Sequence, residues 1–299
     1  KNYPKKVEKI SSATSFWGDD IVKIWIATIV EDKGVFYPRQ HGGSYGTDRL
    51  HANELVEKKL GEKFLSWGWK DKNVKPMPSI EKNILFEKNN RYIQNKKSEL
   101  KNVEKILLIL SPSNRYSKNI YSTPMGDEWY FHNQNILKFL EKYVGNFNKI
   151  DVRSRPYFDS WDFYNKLKNV SLKINVGFGH QSIESEMKKY SFIIGTNPST
   201  TMFDILISKK PCIFFWDRNL WPCRSSAKHH FQNLVDEKIL FYDNNQAIKH
   251  LKTIINDIPN WWNNNKRQKV IKNFLKNYCT INSNFLPIWE NFLNNRKNK

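Results

Sequence analysis

The spacing of apolar and polar residues changes near residue 103 of the chain. Before that point, short apolar runs alternate with turns, which is typical of a small α/β portion. The elements predicted there are helices at Asp20–Ile29 and Asn53–Leu60 and short strands at Val35–Tyr37 and Lys63–Trp69. Residues 70–103 are rich in Lys, Asn and Pro and show little periodicity apart from Asn83–Glu87, so we expect a linker or an irregular crossing segment.

From residue 103 onward, apolar runs of strand length alternate with stretches of helical spacing. The predicted strands are Lys105–Leu110, Lys149–Val152, Ser171–Val176, Phe192–Gly195, Cys212–Trp216 and Ile239–Tyr242. The predicted helices are Asn133–Tyr143, Ser182–Tyr190, Thr201–Ser208, His229–Val235 and Gln246–Ile255. This alternation predicts βαβ units and a parallel sheet with right-handed crossovers. The strands are almost continuously apolar, as expected of a sheet covered on both faces.

These patterns divide the chain into three predicted parts of an α/β protein. Residues 1–100 would form a partial N-terminal α/β portion with a linker, and residues 101–260 a Rossmann-like domain with a parallel sheet. Residues 261–299 would add C-terminal helices at Trp261–Tyr278 and Phe285–Asn295.

Composition and charge narrow the functional classes. A mean hydropathy of -0.69 excludes an integral membrane protein, and an aromatic content of 14% excludes a disordered tail. The net charge of +20 comes from 39 Lys and 10 Arg scattered along the chain, which favours a solvated basic surface. An anionic membrane surface or glycolipid is the alternative partner, ahead of nucleic acid.

The cysteine pattern and the first ten residues indicate the redox compartment and where the chain begins within its protein. Cys212, Cys223 and Cys279 are odd in number and lack CxxC spacing, so we expect no disulfide framework, no zinc site and a reducing compartment. Residues 1–10 contain neither a hydrophobic signal region nor an initiator Met. We therefore expect the chain to begin partway through a longer protein.

The segment after the predicted strand Phe192–Gly195 has a composition suited to phosphate. Its polar residues are Thr196, Asn197, Ser199, Thr200 and Thr201. In an open α/β sheet, ligands bind beyond the carboxyl ends of the strands, where the N–H groups and dipole of the next helix attract anions. Asp204, one turn into that helix, could reach ribose hydroxyls. The alternative is ordinary N-capping by Ser or Thr, with Asp204 complementing the helix dipole.

A second candidate segment follows the strand Val35–Tyr37. Its small or aromatic residues are Gly42, Gly43, Ser44, Tyr45 and Gly46. Three glycines in five residues let the backbone approach a ligand closely. His41 is a candidate general acid or base at neutral pH, and Glu54 is the nearest carboxylate to act with it. The simpler alternative is a histidine in an ordinary turn.

Arginines concentrate in the loops that follow predicted strands. Those loops contain Arg115, Arg153, Arg155, Arg218 and Arg224, which are five of the ten arginines. Arginine binds carboxylate and phosphate with two parallel hydrogen bonds. This placement predicts an anion-binding cleft at the carboxyl edge of the sheet.

These segments together resemble a bacterial family of surface-carbohydrate transferases first catalogued in Leptospira. The N-terminal matching motifs are Arg39–Gly46, Glu54 and Phe64–Trp69. The later ones are Ser111-Pro112, Arg115-Tyr116-Ser117, Arg153 with Trp161, Thr196-Asn197, Thr200-Thr201, Phe215-Trp216, Leu220-Trp221, Arg224 with Ser226-Ala227, and Trp261-Trp262. The resemblance extends over roughly residues 10–290.

The resemblance implies a GT-B-like glycosyltransferase fold. It implies transfer of 3-deoxy-octulosonic acid (Kdo) or a similar acidic sugar from a CMP-activated donor to lipopolysaccharide or capsule. The Rossmann-like domain would hold the nucleotide-sugar donor, and the N-terminal portion the glycan or glycolipid acceptor. The resemblance implies no metal and no other cofactor. Because only about 100 residues precede the second half, we expect most of the N-terminal half to be absent or much reduced.

The resemblance also implies roles for the candidate residues. Thr196–Thr201 with Asp204 would hold the phosphate and ribose of CMP, while Arg115, Arg153, Arg155 and Arg224 would neutralise the phosphate and the sugar carboxylate. His41 and Glu54 would face the reacting centre, and Gly42–Gly46 would line the cleft. Glu54 is the candidate for the carboxylate nucleophile of a retaining enzyme.

Two alternatives stay open at the level of sequence. One is a non-catalytic protein whose basic cleft binds nucleic acid or an anionic polymer, and the other is a GT-B enzyme that uses a UDP- or GDP-sugar. The expected location is the cytoplasm, with peripheral contact at the inner membrane through basic side chains.

Overall fold

The computed structural model describes residues 3–95, 105–111, 124–147, 149–154 and 162–295. The residues singled out above that lie outside these ranges are Pro112, Arg115, Tyr116, Ser117, Arg155 and Trp161. Across the described ranges, every helix is too short or too polar to span a bilayer.

The N-terminal portion is a small α/β unit with parallel strands. Its elements are β1 (Lys9–Ser12), α1 (Ser15–Gly18), α2 (Asp20–Glu31), β2 (Val35–Pro38), α3 (Ala52–Leu60), β3 (Phe64–Ser66), β4 (Val74–Pro76) and α4 (Ile80–Asn95). Strand β1 pairs with β2 and β3 with β4, and a bridge between Arg39 and Leu65 joins the two pairs. Helix α2 begins where the Asp19 carboxylate accepts hydrogen bonds from two backbone N–H groups.

Helix α4 occupies most of the segment that the sequence predicted to be a linker. The expectation of a linker or irregular segment is wrong for Val74–Pro76 and Ile80–Asn95, which form β4 and α4. The hydrophobic pattern is weak because several buried positions of α4 are polar, including Lys82, Asn83 and Asn89. These side chains find distant partners, since Asn83 Nδ2 donates to the backbone oxygens of Ser79 and Thr280 at 2.7 and 3.1 Å. A pattern read over a short stretch of sequence does not reveal partners that are distant along the chain.

The larger part of the chain is a doubly wound parallel sheet. Its elements are β5 (Ile106–Ile109), α5 (Glu128–Val144), β6 (Ile150–Ser154), α6 (Phe163–Val170), β7 (Ile174–Phe178), α7 (Ile183–Met187), β8 (Phe192–Gly195), α8 (Thr200–Ile207), β9 (Cys212–Phe215), α9 (Ser225–Asp236), β10 (Leu240–Phe241) and α10 (Asn244–Ile254). The six strands are all parallel, in the order β10-β9-β8-β5-β6-β7. The predicted α/β class is confirmed, and the strand order reverses between β5 and β8.

Both faces of this sheet are buried. Alternate residues of β5 point into two separate clusters, with Ile106 and Leu108 in one and Leu107 and Ile109 in the other. The first cluster is completed by α5 and α10, and the second by α8 and α9. Burial on both faces explains why the strands read as continuous apolar runs.

Three helices close the described chain: α11 (Ile258–Trp262), α12 (Asn265–Tyr278) and α13 (Phe285–Asn294). The sequence predicted one helix over Trp261–Tyr278, but the Asn264 side chain caps α12 and separates it from α11. Helix α13 returns to the N-terminal portion. There Trp289 packs against Tyr37 and Leu65, and its Nε1 donates to the backbone oxygen of Pro78 at 2.8 Å.

Candidate functional site

The candidate site lies at the point where the strand order of the large sheet reverses. Thr196 follows β8 directly, is buried, and donates from Oγ1 to the backbone oxygen of Ile109 at the end of β5. This bond, 2.9 Å long, fastens the carboxyl ends of the two strands together. Ligands of open α/β sheets bind in the crevice at such reversal points.

The first turn of α8 has no side-chain cap. Ser199 occupies the capping position, yet its Oγ donates to Oδ1 of Asn197 at 3.1 Å and does not bond to the helix. The Oγ1 of Thr200 instead accepts a hydrogen bond from the N–H of Gly43, at 2.8 Å. Thr201 is half-buried in the same turn. Ordinary capping, the alternative offered by the sequence, is therefore not how these hydroxyls are used.

A loop of the N-terminal portion sits against this helix end, and glycine is required there. A Cβ at Gly43 would lie 2.4 Å from the carbonyl carbon of Ser199 and from the nitrogen of Thr200. At Gly46, φ is +73°, and a Cβ would lie 2.4 Å from the Trp69 ring. The loop of residues 40–46, here called the glycine loop, is thus shaped by two close backbone approaches.

Gln40 fixes the start of the glycine loop. Its Oε1 accepts from the backbone N–H of Trp67 and from Nε1 of Trp69, both at 2.9 Å. Its Nε2 donates to the backbone oxygen of Gly42 at 2.7 Å. The side chain is buried. These bonds explain why the Gln40–Gly46 and Phe64–Trp69 motifs occur together in one sequence.

A cleft of about 420 Å³ opens between the glycine loop and α8. Its lining is His41, Gly42, Gly43, Ser44, Tyr45, His51, Asn53 and Thr200. The volume is within the range of small-molecule sites in proteins. Six of the predicted residues therefore meet here, although residue 43 and residue 200 are 157 positions apart.

His41 is linked through Tyr45 to a buried carboxylate. The Tyr45 hydroxyl lies 3.0 Å from His41 Nδ1 and donates to Oε1 of Glu57 at 3.1 Å. Burial lowers the pKa of His41, which favours its neutral form. Burial also raises the pKa of Glu57 to about 7, opposed by hydrogen bonds from Trp17 and Tyr45.

Sequence reasoning did not single out Glu57. The available signal was its position three residues after Glu54, which places both carboxylates on one face of α3.

Glu54 and Arg224 bind each other rather than lining the cleft. The Nη2 of Arg224 lies 3.0 and 2.8 Å from the two oxygens of Glu54, and the N–H of Gly46 donates to the same carboxylate at 2.8 Å. Both oxygens of Glu54 are therefore occupied, and the pair joins α3 to the start of α9.

Asp204 and Arg153 are also engaged elsewhere. Asp204 is buried and forms an ion pair with Lys82 of α4. Arg153 pairs with Glu186 and donates to the backbone oxygen of Gln181 at 2.8 Å.

Among the described residues, no group of three or more His, Cys, Asp or Glu side chains is arranged to hold a metal ion.

Comparisons with known proteins identify the chain's relatives. A family model described as "LIC12162 family transferase" matches residues 1–293. No curated protein matches the chain. A glycosyltransferase from Rickettsia africae ESF-5 is similar at 13% identity, over 97% of this chain and 78% of that one, with a TM-score of 0.52. UDP-GlcNAc 2-epimerase from Neisseria meningitidis, bound to UDP-GlcNAc, is similar at 11% identity, over 98% and 76%, with a TM-score of 0.50. At these identities the likeness concerns the fold, which is GT-B.

Proposed function

Since the chain belongs to the LIC12162 family of transferases, we propose that it transfers a glycosyl group. The proposed donor is a CMP-activated acidic sugar, Kdo or a similar one, and the proposed acceptor is a bacterial surface glycan such as lipopolysaccharide or capsule. The family supports group transfer, and the GT-B fold supports a nucleotide-sugar donor. The CMP donor rests on the resemblance of the motifs.

One observation carries the proposal: the glycine loop meets the uncapped N-terminus of α8 at the reversal point of the sheet. The helix end offers backbone N–H groups and the positive end of a dipole, which suit the phosphate of a nucleotide sugar. Thr200 and His41 both line the cleft. Glycosyl transfer to a hydroxyl uses a site that binds the leaving phosphate and a group that accepts the hydroxyl proton, and the helix end and His41 would supply these two components.

A UDP-sugar donor is the second candidate. The observation that favours it is the GT-B fold shared with an epimerase bound to UDP-GlcNAc. The reversal point of a doubly wound sheet accepts either nucleotide, because the phosphate contacts do not read the base.

Thermal melting with CMP, UDP, GDP and AMP, at low and high salt, tests the proposal. A specific ligand at about 100 times its Kd adds about 2.7 kcal/mol to the unfolding free energy, which raises the Tm by a few degrees. We expect CMP to give this shift and the others not. Thr200→Ala should weaken the affinity for CMP about tenfold because it removes a cleft hydroxyl, which reduces the stabilisation at the same CMP concentration by about half. Thr253→Ala, on the exposed face of α10, should leave the CMP shift unchanged.

The other outcomes discriminate the alternatives. A shift with UDP or GDP alone would replace the proposed donor and keep the reaction. No response to any nucleotide, with salt-sensitive binding of polyanions, would favour the non-catalytic cleft protein.

The proposed location is the cytoplasmic face of the inner membrane, with peripheral contact to anionic lipid. The supporting observation is on α2, where Ile21 and Ile24 are 66% and 67% exposed and Lys23 lies between them. The apolar pair suits insertion at a lipid interface. Because Lys23 forms an ion pair with Asp20, the attraction to anionic lipid would come from the other basic side chains of the chain.

A further inference from the structure

A line of three side chains runs from the interior of the N-terminal portion to the cleft. Glu57 is 0% exposed, and its Oε1 accepts from Trp17 Nε1 at 2.6 Å and from the Tyr45 hydroxyl at 3.1 Å. The same hydroxyl lies 3.0 Å from His41 Nδ1. Tyr45 is fully buried as well, so water does not compete for its bond to Glu57.

The number of protons in this line fixes their positions. A phenol has one proton to donate, and the Tyr45 proton goes to Oε1 of Glu57. The Tyr45 oxygen can then only accept, so the proton between it and His41 must belong to Nδ1. Oε1 keeps its accepting role whether Glu57 is ionised or carries a proton on Oε2, the oxygen that has no hydrogen-bond partner.

We propose that Glu57 is a positioning residue that acts through Tyr45 to hold His41 with its proton on Nδ1, leaving Nε2 as the proton acceptor at the cleft. The inference deepens the proposed function and rests on it for the reaction. His41 lines the cleft, and Nδ1 is already taken by Tyr45, so Nε2 is the ring nitrogen left for a ligand. A histidine whose second nitrogen is fixed in this way has one defined tautomer.

The reaction that this tautomer serves is the deprotonation of an acceptor hydroxyl. The O–H bond breaks and its proton moves to Nε2, while the oxygen forms a bond to the anomeric carbon of the donor. The bond from that carbon to the donor phosphate breaks, and its electron pair leaves with the nucleotide. The imidazolium formed lies beside Glu57, whose Oε1 is 3.8 Å from Nδ1, so an ionised Glu57 stabilises it.

Nitrogen-15 NMR of the full chain, with the imidazole rings labelled, tests the tautomer directly. The chain contains seven histidines, and His41→Gln assigns the signal of interest. At a pH where His41 is neutral, we expect a protonated Nδ1 and an unprotonated Nε2. A wild-type His41 with its proton on Nε2 would overturn the proposal.

Three variants separate positioning from a merely structural role. Tyr45→Phe removes the acceptor, and Glu57→Leu frees the Tyr45 proton to be donated to Nδ1, so both should move the His41 proton to Nε2. Glu57→Gln keeps an amide oxygen as acceptor and should retain the wild-type tautomer. An unchanged tautomer in Tyr45→Phe and Glu57→Leu would also overturn the proposal.

The control is Tyr143→Phe, which alters a buried tyrosine of α5 outside the cleft and should leave the His41 signals unchanged. Melting curves establish that each variant is folded. Because the NMR measurement uses the free protein, it can fail or succeed independently of the nucleotide test of the proposed function.

Discussion

The Glu57 carboxylate is fully buried, and one of its oxygens accepts hydrogen bonds from two aromatic side chains, Trp17 and Tyr45. Its other oxygen has no partner, which leaves part of the desolvation cost uncompensated. Burial therefore raises the pKa of Glu57 from 4.5 to about 7. The folded state binds this proton more tightly than the unfolded state does, so the protonation of Glu57 stabilises the fold.

Glu57→Gln should change how stability depends on pH. The contribution of Glu57 is fully present below about pH 4.5 and is lost as the pH rises to about 7. Over that window the wild type should lose about 3 kcal/mol more than Glu57→Gln, given about 1.4 kcal/mol for each pKa unit. Urea titrations at a series of pH values measure this difference. Glu31→Gln, on the exposed side of α2, serves as control, and parallel curves for wild type and Glu57→Gln would contradict the prediction.

For single residues, the sequence predicted which side chains are candidates for the site better than it predicted which side chains they contact. The candidate status of His41, Gly43 and Thr200 follows from local composition, and these residues do meet in one cleft. The pairing of Glu54 with Arg224 and of Asp204 with Lys82 does not follow, because the partners are 170 and 122 positions apart. Partners at that separation are set by the fold.

Among the elements, the contact between the glycine loop and α8 determines the shape of the cleft. Gly43 lies against the backbone of Ser199 and Thr200. Backbone atoms, unlike the end of a flexible side chain, cannot move aside to make room for a larger residue. The strands and helices predicted between residues 105 and 255 are confirmed to within about five residues because their apolar periodicity is strong, whereas α6 was not predicted. Helix α4 was missed because Lys82, Asn83 and Asn89 fill buried positions that an ordinary amphipathic helix gives to apolar residues.

Gly43→Ala should separate the glycine loop from α8. The added Cβ would lie 2.4 Å from backbone atoms, so the loop must shift, at a cost of about 1–3 kcal/mol. We expect a lower Tm and loss of the nucleotide-induced shift, both read from thermal melting. Gly18→Ala is the matched control, since nothing lies within 4 Å of its added Cβ. Equal behaviour of the two variants would show that the contact is dispensable.

The whole molecule carries a net charge of +20, whereas the exposed apolar pair lies on α2, a helix that contains Asp20, Lys23 and Glu31. Each basic residue near an anionic membrane contributes about 1 kcal/mol, an attraction that salt screens. Charge and apolar contact therefore act together in the proposed membrane association.

Cosedimentation with vesicles containing phosphatidylglycerol should show binding that weakens as salt is added. Replacing both Ile21 and Ile24 by Ser should reduce the bound fraction several-fold because it removes the apolar contact. Leu172→Ser changes a residue that is 100% exposed in the turn between α6 and β7 and should not affect binding. Equal losses in both variants, or binding to neutral vesicles alone, would contradict the prediction.

The return of α13 to the N-terminal strands has a consequence for the biosynthesis of the protein. Trp289 covers Tyr37, Leu65 and Met77, yet it is 211 residues distant from the Pro78 carbonyl that it binds. At about 5–20 residues per second, a ribosome needs roughly 10–40 s to synthesise that stretch. Throughout this interval the nascent chain presents an unfinished apolar surface, which suits recognition by chaperones. The N-terminal portion therefore completes its packing only after Trp289 has been synthesised.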